Sequence, residues 1–277
     1  MSIVTKKAPV GSPPPSPPKA RRGVSPRTAV GIASVLGVLL LWQLLSSLGV
    51  LSELVFSSPA AVVQAGASEV QSGEFWRLAA RSASAFAIGY GLAALIGLPL
   101  GVCVGWFRNF GYFVDPWLSF FYALPRIALT PLLLIAFGIG QTAIIAVIFL
   151  GAIFEIVLNT SNGARVVDRR LLDVAQEFGA SRLRVFVGIV LPSCVPFMIV
   201  GLRLGVARAL IGVIIGELFA GGTGLGQLIS LASNSLQTGR VLFLTSFFLL
   251  IAIVMTEGLR MIENRLGAWR NDIGGVR

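Results

Sequence analysis

The sequence predicts an all-α fold, a polytopic membrane bundle of about six transmembrane helices with amino and carboxyl termini in the cytoplasm. Three observations carry that expectation. Of the 277 residues, 55% are hydrophobic and only 12% are charged, which is more apolar surface than one soluble core of this length would hide. The apolar residues gather into runs of about 20, and at about 1.5 Å per residue such a run crosses a hydrocarbon layer of about 30 Å. The cations sit mostly at the ends of these runs and in alternate connections, the pattern of loops retained on the cytoplasmic side.

The net charge of +10 would suit a nucleic-acid partner only if it were gathered on a soluble surface. Instead Lys6, Lys7, Lys19, Arg21, Arg22 and Arg27 occupy the first 27 residues and most other arginines flank apolar runs, so no nucleic acid is expected. The chain has no histidine, which excludes histidine acid–base chemistry and histidine metal ligation. Cys103 and Cys194 lie in or beside apolar segments and are read as packing residues.

Residues 1–27 hold half of the 14 prolines and little that could be buried, and are expected to be a disordered, basic, proline-rich cytoplasmic tail ahead of a transmembrane domain at 28–277. The first span runs over 28–48, too long an apolar run for a cleaved signal peptide. Residues 49–77 read as an external connection with a short helix after Pro59, proline being favoured at the first helical position. The second span, 79–106, carries Gly89, Ala93, Gly97, Gly101 and Gly105 at every fourth position, a smooth stripe for close approach of another helix.

The third span is expected to open at Asp115-Pro116, as N-cap and first helical residue. Pro125 and Pro131 then fall within an apolar run, so this span should be kinked or broken. Irregular backbone at membrane depth must face protein or a watery cavity, which makes Pro125 and Arg126 pathway candidates, with a structural kink as the equal alternative. The fourth span, 141–160, contains Glu155. The fifth, 193–219, begins near Pro192 and Pro196 and contains Arg203, Arg208 and Glu217. Intramembrane charges should point into the bundle, and Glu217 joins the pathway candidates. The stretch GGTGLGQ at 221–227 lacks a preceding strand and a lysine, so it reads as an external turn and not as a nucleotide loop. The sixth span covers 241–257. The proposed internal segments hold 16 of the 22 cations, consistent with this topology.

Residues 163–190 then form a cytoplasmic loop. Asp168 can cap a short helix to about Phe178, Gly179 can end it in a left-handed conformation, and Ser181 can cap the next helix. Leu171, Ala175 and Phe178 recur on one face, and so short an amphipathic helix needs somewhere to dock.

Here the stretch DVAQEFGASRLRVFVGIVLP resembles the cytoplasmic loop of permease subunits of bacterial ATP-binding cassette importers. Asp173, Val174, Ala175, Gly179, Ile189, Leu191 and Pro192 fall on that pattern, with Asp173 in place of a glutamate and Val174 in place of an alanine. YALPRIALTPLLLIAFGIG and GELFAGGTGLGQLI extend the likeness over about 75–265, and the combination is similar to permeases for nitrate, sulfonate and taurine. The resemblance implies a binding-protein-dependent inner-membrane component, multi-pass in a bacterial cell membrane, without enzymatic activity. It implies a coupling helix that inserts into a cleft of the ATPase, with Leu171 and Phe178 as apolar anchors, Asp173 and Glu177 as charged contacts, and Gly179 as the exit turn. It further implies cytoplasmic ATP-binding cassette ATPase subunits, a second permease copy in a homodimer, an external solute-binding protein and membrane lipid as partners. This chain would hold no cofactor, since it has no lysine after Lys19 and hence no P-loop lysine; ATP and Mg would be bound by the partner ATPase.

Three other readings stay open on the sequence alone. The same importer class could carry a pyrimidine vitamin precursor or riboflavin. A secondary transporter would use Glu155 and Glu217 as proton sites. A membrane scaffold would use the loop only to recruit a protein.

Overall fold

The computed structural model describes residues 26–220 and 224–266. The basic tail therefore lies outside the described residues, apart from Pro26 and Arg27, which already belong to α1 (Pro26–Ser47). Among the described residues every regular element is helical. A one-turn α2 (Glu53–Phe56) leads to α3 (Pro59–Gln71), with Pro59 in its first turn and the Ser58 hydroxyl accepting from Ala61 N–H at 3.2 Å. α4 (Gly73–Trp106) starts at a second serine cap, Ser72. α5 (Arg108–Ala123), a short 3₁₀ turn (Arg126–Leu129) and α6 (Thr130–Phe137) follow. Then come α7 (Gln141–Arg165), α8 (Arg169–Glu177), α9 (Arg182–Val185), α10 (Leu191–Ala220), α11 (Leu225–Asn234) and α12 (Thr238–Leu266).

Five stretches are long and apolar enough to cross a membrane: α1, α4, α7, the continuous run Arg182–Ala220, and α12. A sixth is available if α5 and the Arg126–Phe137 segment, bent by 88° at their junction, count as one broken span. α1 exposes Val30, Leu36, Leu40 and Leu44, which suits a helix set in lipid with few protein neighbours.

The core is organised around α7. Its residues Ile144, Ile148, Ala152 and Ile156 are buried against Ala85, Phe86 and Ala93 of α4 on one side and Val206, Ala209 and Val213 of α10 on the other. The glycine stripe of α4 faces α7: a Cβ on Gly101 would stand 2.6 Å from the Thr160 Cβ and 2.8 Å from the Val157 carbonyl oxygen. α10 approaches α7 equally closely through Gly212, 3.0 Å from the Ile148 Cα by the same measure. In lipid, where no hydrophobic force pushes helices together, such backbone approach supplies the packing attraction.

Two sequence expectations are corrected. Asp115-Pro116 does not open a helix but lies well inside α5, which starts at Arg108. Asp115 serves as an ion-pair partner instead of a cap. Arg165 Nη2 donates to its two carboxylate oxygens at 2.7 and 2.8 Å, tying α5 to α7. An apolar surrounding gives the freed backbone groups no water to turn to, so the helix carries through the proline. Nor does the fifth span begin at Pro192 and Pro196. The helix runs from Arg182 through a π turn (Phe186–Val190) into α10. The wider turn precedes Pro192, which has no backbone N–H to donate, and Ser193 Oγ donates to the Ile189 carbonyl at 2.7 Å.

Candidate functional site

α8 is built as a short, separately closed unit. Asp168 caps it, its Oδ1 accepting from Arg170 N–H at 2.9 Å. At the other end Gly179 has φ +72°. Gly179 N–H donates to the Gln176 carbonyl and Ala180 N–H to the Ala175 carbonyl, both at 2.9 Å, which is the Schellman arrangement that closes a helix through a left-handed glycine. Ser181 then caps α9.

This geometry splits the apolar residues of α8 between two directions. Leu172 packs onto the bundle, beside Trp106, Phe186 and the buried Val190 and Cys194. Ala175 is half-buried, so the expected face of Leu171, Ala175 and Phe178 is replaced by a stripe of Leu171, Val174 and Phe178 that faces outward. Phe178, just past the last helical residue, is 87% exposed. Asp173 and Glu177 are exposed on the same short helix. Leu191 and Pro192 belong to α10, beyond the π turn.

A second constellation sits at the elbow between α5 and α6. Pro125 and Arg126 line a cavity of about 260 Å³ together with Thr130, Gly151, Arg208 and Gly212. Arg126 Nη1 donates to the Gly151 carbonyl at 3.0 Å, and its guanidinium lies 5.1 Å from the Tyr122 ring centroid. Arg208 Nε donates to Glu155 Oε1 at 3.0 Å, while Arg126 Nη2 stands 3.6 Å from the same oxygen. One buried carboxylate is thus shared by two guanidinium groups, leaving one positive charge uncompensated. The sequence showed these three charges without their pairing. Thr130 escaped it; the only hint was its position one turn after Arg126. Arg203, by contrast, pairs with Glu263 at 3.1 Å.

Glu217 lies apart from this cavity. It is buried, and Ser82 Oγ donates to its Oε1 at 2.6 Å while Gly226 N–H donates to its Oε2 at 2.7 Å. Leu225 N–H in turn donates to Ser82 Oγ at 2.9 Å, so the carboxylate joins α4, α10 and the start of α11. Part of the glycine-rich stretch falls outside the described residues, and Leu225–Gln227, expected in a turn, are already helical. Its glycines make room for the carboxylate: a Cβ on Gly226 would stand 2.5 Å from Glu217 Cβ. Replacing Glu217 with Leu strands the Ser82 hydroxyl and the Gly226 N–H, at about 1–3 kcal/mol each. A drop in the thermal unfolding midpoint of the purified protein checks this, with Glu217→Gln expected to fall between Leu and wild type.

Residues 93–267, well over half the chain, match the family described as binding-protein-dependent transport system inner membrane component. The chain belongs to this family. The permease is 28% identical over 260 residues to the taurine transport system permease protein of Escherichia coli (strain K12), covering 92% of this chain and 94% of that one. It is 30% identical to the nitrate import permease protein of Leptolyngbya laminosa, with 86% of each chain covered. It is also 30% identical to a Bacillus subtilis (strain 168) permease named for aliphatic sulfonates transport, again over 86% of each. In fold the permease is similar to a chain of the methionine ABC transporter solved in inward facing conformations, with a TM-score of 0.52 at 19% identity over 69% of this chain and 94% of that one. It is a multi-pass inner-membrane transport component.

Proposed function

We propose that the permease is the membrane-spanning subunit of an ATP-driven importer for a small anion of the sulfonate, taurine or nitrate kind. The sulfonates and nitrate named for its relatives support the anion class, and taurine shares the sulfonate group. α8 is the coupling element, docking with Leu171, Asp173, Val174, Glu177 and Phe178 against a separate ATPase subunit that holds ATP and Mg. The observation that carries this reading is the outward stripe ending in Phe178, closed by Gly179 and covered by nothing among the described residues. Burying such a stripe in a partner's groove is the standard use of an amphipathic helix. Two permease copies then pair with two ATPases, and ATP-driven closure rocks the bundle about a route lined by Pro125 and Arg126. The half of the molecule bearing α8 faces the cytoplasm, following the arginines of 163–190. A solute-binding protein delivers the anion from outside.

Co-reconstitution of the permease with its ATPase and solute-binding protein in liposomes tests the reading. Uptake of the anion is expected to need all three components, to stop with vanadate and to survive an uncoupler. Uptake that needs no ATPase and collapses with the uncoupler would instead assign Glu155 and Glu217 to proton coupling.

A further inference from the structure

We propose that the elbow cavity is itself a binding site for a small singly charged oxyanion, so that the permease selects its cargo inside the membrane as well as through an external binding protein. This rests on the anion-importer reading above. Three features converge on the same space. First, Arg126 and Arg208 share the single carboxylate of Glu155, leaving net charge +1 beside the cavity. Second, Thr130 is buried in the cavity wall, and its Oγ1 has no hydrogen-bond partner among the described residues. A buried hydroxyl left unpaired is costly, and an oxyanion lobe would accept its proton. Third, Arg208 is half exposed and its protein contact among the described residues is through Nε, which leaves its terminal nitrogens to form the fork that suits planar or tetrahedral oxyanions.

The remaining wall narrows the ligand class. Leu124, Ile127, Leu133, Val147, Ile211 and Ile215 surround the polar corner. They suit a short alkyl group attached to the oxyanion, or a bare oxyanion such as nitrate. Their side chains offer no acceptor for an ammonium group, and the excess positive charge repels one. The site therefore takes simple alkanesulfonates or nitrate in preference to zwitterionic aminosulfonates such as taurine.

The full-length permease in lipid nanodiscs is titrated calorimetrically with propanesulfonate, nitrate, taurine and propylammonium. Saturable binding of the first two is expected, with taurine weaker and propylammonium absent. Arg208→Gln weakens propanesulfonate about tenfold, equivalent to about 1.4 kcal/mol, while Glu155 keeps Arg126 as partner. Thr130→Val, which preserves shape and removes only the hydroxyl, weakens it about threefold, a loss of about 0.7 kcal/mol at the same conversion. Equal affinities in wild type and both variants, tighter binding of taurine, or no saturable binding overturns the site. The same variants are then assembled with the ATPase and binding protein. ATP-driven sulfonate or nitrate uptake without permease binding would remove the site and leave the importer standing. An assembled, ATP-hydrolysing complex that moves neither anion would remove the reading on which the site rests.

Discussion

Replacing Phe178 with Glu leaves insertion of the permease intact, detaches the ATPase and reduces ATP-driven uptake to background. The side chain is 87% exposed, so the isolated chain loses almost no packing and its unfolding midpoint should stay within the range of neutral surface changes. In the complex the ring would be buried. Losing that burial costs about 1.5–3 kcal/mol, and forcing a carboxylate into an apolar groove adds a desolvation penalty of several kcal/mol. The sum weakens association by more than about a thousandfold, since each 1.4 kcal/mol is tenfold. Gly179→Asp should act differently. At φ +72° a side chain meets open space but a strained backbone, so the Schellman closure loosens and the stripe is misaimed. Co-purification of the ATPase with each variant reads both effects. Wild-type association in both would take the coupling role away from α8.

The same residues show what the sequence could and could not disclose. The end signals of α8 were fully legible, because Asp168, Gly179 and Ser181 act on their own neighbours within a turn. The α4 stripe was legible for a similar reason: Gly89, Gly97, Gly101 and Gly105 mark a close approach whatever the partner is. The partner, α7, was not, because period-four spacing carries no information about which helix fills it. The prolines misled where a local rule met an apolar environment. Pro116 and Pro192 look like helix starts in water, yet in a bundle the chain stays helical through them, with Asp115 recruited by Arg165 and a π turn set ahead of Pro192. The pairing of Glu155 with Arg126 and Arg208, and the Ser82–Glu217–Gly226 junction, join residues far apart in the chain. Only tertiary structure brings such groups together, so the charges could be seen in advance but not their assignments.

Gly101→Leu is expected to disrupt the packing of the permease severely. The first added carbon alone would lie 2.6 Å from Thr160 Cβ and 2.8 Å from the Val157 carbonyl oxygen, and three more carbons follow it. Relief requires α7 to move away from α4, but its opposite side is already in backbone contact with α10, where Gly212 leaves only 3.0 Å between a virtual Cβ and the Ile148 Cα. Gly201 repeats the constraint at 3.2 Å from the Ile156 Cα. Overpacking of a core that can yield costs about 1–3 kcal/mol, and a helix clamped on both sides should exceed that range. The damage also reaches the elbow cavity, because α7 carries both Gly151, which accepts from Arg126, and Glu155, which holds Arg126 and Arg208. Gly91→Leu on the same helix is the control, since a Cβ there meets nothing within 4 Å. Thermal unfolding of the two variants in one detergent, followed by uptake of whatever survives, separates them. Gly91→Leu should match wild type, and Gly101→Leu should unfold many degrees lower and transport little. Equal midpoints would mean that α4 and α7 stand further apart in the membrane than the glycine stripe implies.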